Sequence, residues 1–341
     1  MSALSQRALN RALLARQLLL DRAELSLPDV LEQIGGIQAQ YAPAMYVGSW
    51  TRVAGLKRSE VTRALEERHA IQATLMRSTI HLVAPGDYWP FALAVREARR
   101  RLWLRSVRGH TAAKMAGAAR IVRRALADGP LTRAQIEELV GKSRARGVGL
   151  WLDLVRVPPS GTWERRRADL YGLAEDWLQP AEMTPAQAID QLVRSYLRGY
   201  GPASRHDVAS YTGLRVGELA PVFKRLELER HEAEDGTELL DLPGAPLPDP
   251  DTPAPVRFLP VWDATLLVHV RRSGLLPEDF RPRVFNVRKP SGTPTFLVDG
   301  AVAGAWRFED GRVALEPWTR LNRATRRALD KEAERLAAFH A

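Results

Sequence analysis

"IQATLMRSTIHLVAP", residues 71–85, is the stretch on which the fold turns. It alternates and is rich in β-branched residues, which predicts a two-stranded hairpin. The chain before it reads as helical. Residues 5–20 predict a helix with Leu9, Leu13 and Leu20 near one face. A second helix is predicted over about 28–35. It has Pro28 and Asp29 in its first turn and ends at Gly35–Gly36. A third runs from Ser59, an N-cap followed by Glu60, to about Glu67. Three helices and then a hairpin is the order of a winged helix, the helix-turn-helix variant whose hairpin is the wing.

The pattern returns twice. A long basic helix is predicted around 90–108, and "ARIVRRALADG" (119–129) is a helix ended by Gly129–Pro130. Thr132 and Gln135 form a capping box for "LTRAQIEELVG", 131–141. "GVGLWLDLVRV", 147–157, is the candidate recognition helix, and residues 158–178 are the candidate wing. In the third unit Thr184–Pro185 starts a helix. Residues 202–214 and 215–228 read as helix-turn-helix, and 229–244 as a wing around Asp235–Gly236. Residues 244–256, "GAPLPDPDTPAPV", carry five prolines and read as a linker. Beyond it, "RFLPVWDATLLVHV", "RVFNV", "TFLVDGAVAGAWRF" and "RVALEPW" are short strand-like runs, split by "KPSGTP", "VDG" and "EDG". They predict a small β-barrel or curled sheet, followed by a charged helix over about 319–339. The expected fold is therefore α+β: three tandem winged-helix units and a C-terminal small β-barrel. The expected divisions are 1–90, 91–180, 181–243, the linker 244–256, and 257–341.

Bulk properties agree. A length of 341 residues suggests two or more domains. The chain lacks cysteine, which excludes disulfides and thiolate chemistry. No apolar run is long enough to span a membrane, and "LLARQLLL" (13–20) is broken by Arg16 with no small-residue cleavage site after it. A cytoplasmic protein is expected, and a monomer, because no heptad repeat appears. The histidines show no metal-ligand spacing, so no metal is expected. No P-loop and no nucleophile elbow is present, and Gly147-Val148-Gly149 is a lone loop signal, so no cofactor is expected. The net charge is +10, and residues 91–147 hold 14 Lys/Arg against 4 Asp/Glu. Such a local field suits a polyanion, either nucleic acid or an anionic membrane surface. The bland alternative is an Arg-rich compositional bias with solvated helix faces.

"GGIQAQYAP", 35–43, sets two amides, Gln38 and Gln40, two residues apart in an otherwise apolar setting. In an extended segment such residues point the same way, roughly 7 Å apart. In a helix they would diverge by about 200°. Gly35–Gly36 has already ended the helix, so both amides can converge on one small site. The plain alternative is a pair of loop residues capping backbone groups.

"GGIQAQYAPAMYVGSWTR", "TLMRSTIHLVAPGDYW", "YLRGYGPASRHDVASYTGL", "FLPVWDATLL" and "FLVDGAVAGAW" occur in that order along the chain. Together they resemble the bacterial winged-helix DNA glycosylases of the AlkZ and YcaQ type. The resemblance implies tandem winged helices and a barrel arranged around DNA. It implies excision of alkylated purines and, in some members, unhooking of interstrand crosslinks. It also implies a catalytic Gln-apolar-Gln or Gln-apolar-Asp motif, here Gln38-Ala39-Gln40. The substrate would be double-stranded DNA containing alkylated bases, met on the nucleoid.

Chemistry makes two amides sufficient. An N7-alkylated guanine already carries a positive charge, so its base leaves without a general acid. The protein need only hold a water against C1′ and stabilise developing charge. An amide oxygen can accept from that water, and an amide NH₂ can hold a phosphate or sugar. Arg77, Ser78, Thr79 and His81, on the first predicted wing, are candidate DNA contacts, although His81 also fits a partly buried strand. Arg165, Arg166 and Arg167 are a candidate backbone clamp or a solvated charged turn. Arg96 and Arg100, with Arg99, Arg101 and Arg105, would make one basic helix face. Asp263 reads as a ligand or a turn-forming carboxylate. The competing reading of the whole chain is a non-catalytic DNA binder such as a transcriptional regulator.

Overall fold

Caps and glycines define the first helices. The fold is seen in a computed structural model that describes residues 3–270, 272–286 and 291–341. Helix α1 (Gln6–Arg16) opens at Ser5, whose hydroxyl accepts from the Ala8 amide. It ends before Leu18, whose φ of 56° leaves the helical region, so the expected extension to residue 20 is absent. Helix α2 (Leu27–Ile34) is capped by Ser26 and closed by a left-handed Gly35. After β1 (Ile37–Gln38) comes a helix that periodicity does not reveal, α3 (Ala42–Trp50). Each of its residues is buried, so no polar face marks its turns. Helix α4 (Arg58–Glu66) follows. The expected hairpin is then present as β2 (Ile71–Thr74) and β3 (Ile80–Val83), paired from Ile71↔Val83 to Thr74↔Ile80.

Next come α5 (Pro85–Ser106), α6 (Ala112–Leu126), β4 (Leu131–Thr132), α7 (Arg133–Val140) and α8 (Lys142–Ala145). The Thr132–Gln135 capping box closes in both directions. The candidate recognition helix at 147–157 is not a helix. It is a single 3₁₀ turn, Val148–Leu150, followed by the strand β5 (Leu154–Arg156). Gly147 and Gly149 weaken a helix there, and Val155 and Val157 favour extended backbone. Strand β5 pairs with β6 (Leu170–Leu173), as the second hairpin requires. The first two hairpins do not stand apart. Ala73↔Val155 joins them, giving one six-stranded sheet in the order β1-β3-β2-β5-β6-β4.

The third series is α9 (Pro185–Tyr200), α10 (Arg205–Thr212), α11 (Val216–Arg225), β7 (Glu229–Glu232) and β8 (Glu238–Asp241). Its hairpin turns at Asp235 and Gly236, the latter with φ 80°. The proline-rich segment after it is tied along α1. Arg11 Nε donates to the Thr252 carbonyl at 2.7 Å, and Arg7 Nε to that of Pro250 at 2.8 Å. The C-terminal part holds β9 (Arg257–Leu259), α12 (Arg281–Val284), β10 (Phe285–Asn286), β11 (Ser291–Gly292), β12 (Thr295–Val298), β13 (Ala301–Glu309), β14 (Arg312–Pro317) and α13 (Arg323–His340). The expected barrel is replaced by an open sheet. Among the described residues four strands run β14-β13-β12-β9 and do not close. Four strands are too few to wrap a core, and α13 lies against β14 and β9 instead. Val287, Lys289 and Pro290, parts of the expected "RVFNV" strand and "KPSGTP" turn, lie outside the described residues.

Two buried ion pairs lock these parts together. Arg16 is bidentate to Asp241 at 2.7 Å, and Arg52 is bidentate to Asp263 at 2.9 Å. Asp263 is thus a structural carboxylate. It also caps the 3₁₀ turn Ala264–Leu266 through the Thr265 amide, and the Arg52 guanidinium keeps it ionised despite burial. Arg52 also reaches Gln17, whose amide donates to the carbonyls of Ile34 and Gly199. The end of α2 is thereby held against α9, immediately before the paired glutamines.

Candidate active site

The glutamines follow a tight approach of two backbones. At Gly36, φ is 86°, and a Cβ there would lie 2.8 Å from Val83 Cγ1 and 2.9 Å from the Leu82 carbonyl oxygen. Only glycine permits β1 to reach β3 in this way. Gln38 then pairs opposite His81, so the two side chains share a face of the sheet. Ala39 continues the contact, its amide donating to the Ile80 carbonyl at 2.7 Å.

Both carboxamides have fixed orientations. Gln38 is buried, and its Oε1 accepts from Arg77 Nη2 at 2.9 Å. Gln40 is exposed, and its Oε1 accepts from the Ile80 amide at 3.1 Å. Guanidinium and backbone N–H groups only donate, so these partners identify which amide atom is oxygen. Each oxygen keeps a second lone pair, and neither NH₂ has a hydrogen-bond partner among the described residues.

The β2–β3 turn that carries Arg77 is unusual. Arg77 and Ser78 both have left-handed backbones, φ 51° and 58°. For residues with a Cβ this costs on the order of 1–3 kcal/mol each. Local hydrogen bonds offset that cost: Leu75 N to Thr79 O at 3.0 Å, Ser78 N to Leu75 O at 3.1 Å, and Thr79 Oγ1 to Met76 O at 3.1 Å. Arg77 is also clamped from α10. Its Nη1 donates to the Tyr211 carbonyl at 3.3 Å and its guanidinium sits 5.1 Å from the centroid of the Tyr211 ring. Tyr211 closes the circle by donating from its hydroxyl to Gly35 O at 3.3 Å. Tyr211 lies within the quoted stretch "YLRGYGPASRHDVASYTGL", but nothing local in it signals this contact, which exists only when α10 packs beside the hairpin.

His81 lies buried beside this group. Burial, reinforced by the Arg77 charge, lowers its pKa to about 3, so the ring is neutral. Its Nδ1 lies 3.0 Å from the Thr79 carbonyl. A carbonyl only accepts, so Nδ1 carries the proton and Nε2 keeps its lone pair.

The arginine loop of the second hairpin also arrives here. Arg166 Nη1 donates to the Tyr41 hydroxyl, next to Gln40, at 3.2 Å. Arg167 pairs with Asp169 at 2.8 Å but stays 80% exposed, and Arg165 lies 3.8 Å from the same carboxylate. Gln38, Gln40, Arg77, Ser78, Thr79, His81 and Arg166 therefore form one neighbourhood. Arg96 and Arg100 do not join it. Arg96 pairs with Asp153 at 2.8 Å, while Arg100 donates to the Leu150 carbonyl and to Glu97, each at 2.8 Å. Among the described residues no cluster of His, Asp and Glu could hold a metal, and no helix is long and apolar enough to cross a membrane.

Residues 31–339 match the family model described as DNA glycosylase AlkZ-like. A curated relative, an interstrand DNA cross-link repair glycosylase of Streptomyces sahachiroi, is 24% identical over 94% of this chain and 93% of its own. The solved structure of the Streptomyces sahachiroi DNA glycosylase AlkZ superposes with a TM-score of 0.83 at 21% identity, covering 100% of this chain and 98% of that one. With the family model covering almost the whole chain, the protein belongs to the AlkZ-like family of DNA glycosylases.

Proposed function

We propose that the protein is a monofunctional glycosylase that removes cationic N7-alkylated purines from double-stranded DNA. By the same chemistry it releases N7-linked interstrand crosslinks, as the name of its Streptomyces relative suggests. The three helix–hairpin series act as tandem winged helices, divided near residues 90, 180 and 243. The enzyme works as a monomer in the cytoplasm, on the nucleoid when bound to DNA. It needs no metal and no cofactor.

One observation carries this reading: Arg77 and the Ile80 amide hold both glutamine oxygens in place. Preorganised dipoles of this kind lower a barrier without reorganising during the reaction. The free lone pairs of Gln38 and Gln40 accept from one water and aim it at C1′. The C1′–N9 bond breaks, and its electron pair neutralises the purine cation. The water oxygen bonds to C1′ and its proton passes to solvent. The carboxamide NH₂ groups hold the flanking sugar-phosphate, and the arginines of the loop grip the backbone, together with Ser78 and Thr79. Neutral purines lack the leaving-group charge and are left intact.

The test mixes the protein with methylated duplex DNA. Free 7-methylguanine and abasic sites are expected, with neither from undamaged DNA. A sequence-specific gel shift with no base release would identify a DNA-binding regulator instead.

A further inference from the structure

A cavity of about 100 Å³ lies between α5, α7, α8 and the β5–β6 hairpin. It has room for several waters, and so for one tetrahedral oxyanion. Its walls are cationic: Arg99, Arg133, Arg146 and Arg156 line it, with Asp153 as the acid among them and Tyr171 beside them. Two of these charges are already neutralised in the chain. Asp153 holds Arg96 at 2.8 Å, and Arg133 holds Glu137 at 2.9 Å.

Arg99 and Arg156 lack the carboxylate partner that Arg16 and Arg52 have; Arg257, outside the cavity, shares that lack and donates to the Leu20 carbonyl instead. Arg99 and Arg156 are only 8% and 7% exposed, yet no described carboxylate forms an ion pair with either. The Nε of each lacks a hydrogen-bond partner among the described residues. Among the described residues Arg99 donates to the carbonyls of Thr74 and Leu75 alone. Arg156 rests on the Tyr171 ring, 5.0 Å from its centroid. Burial pulls the Arg99 pKa down to about 10. Arg16 and Arg52, deeper still, each have a bidentate aspartate. Buried guanidinium charge is ordinarily paired, and a planar fork is suited to a phosphate.

We propose that this cavity binds a phosphate oxyanion, with Arg99 and Arg156 as its buried ligands and Arg146 at its mouth. The group is either a DNA backbone phosphate or a free phosphate. The site lies apart from the paired glutamines but is connected to them. Arg99 donates to the backbone just before the turn that carries Arg77, so an occupied cavity braces the Gln38 clamp.

The test uses the full-length protein and inorganic phosphate. Millimolar phosphate should raise the melting temperature by about 2–4 °C over chloride at equal ionic strength, and Arg156→Met should abolish that rise. Arg156→Met should melt no lower than wild type in chloride, because it removes an uncompensated buried charge. A purely structural arginine would give a lower melting point. Arg156→Lys serves if the Met variant does not fold; it keeps the charge, loses the fork and should show a reduced response. Duplex DNA separates the sources. If the phosphate belongs to DNA, free phosphate competes and Arg156→Met lowers the salt slope of DNA binding by about one. An unchanged slope assigns the site to free phosphate. Absence of a phosphate-specific rise in wild type, or its persistence in Arg156→Met, overturns the proposal. Neither readout depends on base excision.

Discussion

The tips of the first two hairpins share a sheet and differ in almost everything else. The first, at 75–79, is tight, strained and partly buried, and each polar group that matters has a named partner. Arg77 alone engages Gln38, the Tyr211 carbonyl and the Tyr211 ring. The second, around 163–167, is a long loop whose arginines reach outward. Arg165 and Arg167 share one carboxylate, and Arg166 touches Tyr41. In the proposed function the first tip serves bond-breaking chemistry, where an ångström matters. The second suits a backbone grip, where charge matters more than geometry.

Replacing both glutamines should give the largest effect. Gln38→Ala with Gln40→Ala should slow release of 7-methylguanine by at least 100- to 1,000-fold, roughly the loss of a preorganised polar partner. DNA affinity should fall far less, since only two neutral sugar-phosphate contacts are lost; single-turnover base release checks the rate and a binding titration the affinity. Protonation of His81 is next. Its pKa of about 3 in the fold lies below the ordinary histidine value, so the unfolded chain binds the proton more readily. The His81 contribution to stability is therefore full above about pH 6.5 and is lost as pH drops toward 3, at about 1.4 kcal/mol per unit. His269 and His340, lowered by burial to about 3 and about 4, add slopes of the same sign, so in denaturant titrations from pH 7.5 to 4.5 His81→Asn should be shallower than wild type by about 1.4 kcal/mol per unit.

Arg77→Ala releases the Gln38 oxygen and should cost about 10- to 100-fold in rate, the worth of a hydrogen bond to a charged group. Arg77→Lys should not restore it, since one ammonium cannot hold both Gln38 and Tyr211. If the variant kept full activity, the first tip would be no more exacting than the second. The triple change Arg165→Ala, Arg166→Ala, Arg167→Ala should leave the chemical step intact and reduce the salt slope of DNA binding by about 2. Arg96→Ala with Arg100→Ala should reduce that slope least, because both side chains are engaged within the chain.

Although β5 fell inside the expected recognition helix rather than in the expected wing at 158–178, the sequence displayed most of the helices, the first and third hairpins and the second strand of the middle one, because caps, glycines and β-branched runs are local signals. It misplaced 147–157, where a run of leucines imitates a helix while Gly147, Gly149 and Val155 favour a turn and a strand. It missed α3, whose total burial erases any period. Joining of the two hairpins was not legible, because a single Ala73↔Val155 pairing leaves no mark in either segment. The spacing of Gln38 and Gln40 predicted an extended pair; the strand itself ends at Gln38. The clamp on Gln38 was hidden, for it needs a left-handed arginine and a tyrosine 134 residues away.

The continuous six-stranded sheet has a geometric corollary. It fixes the distance between the paired glutamines and the arginine loop, like the jaws of a caliper that has been set and locked. Domain closure cannot then adapt that span to adducts of different bulk. On the activity proposed above, the duplex rather than the protein would then bend or unwind to fit, and tolerance of large lesions would follow the pliancy of the flanking base steps.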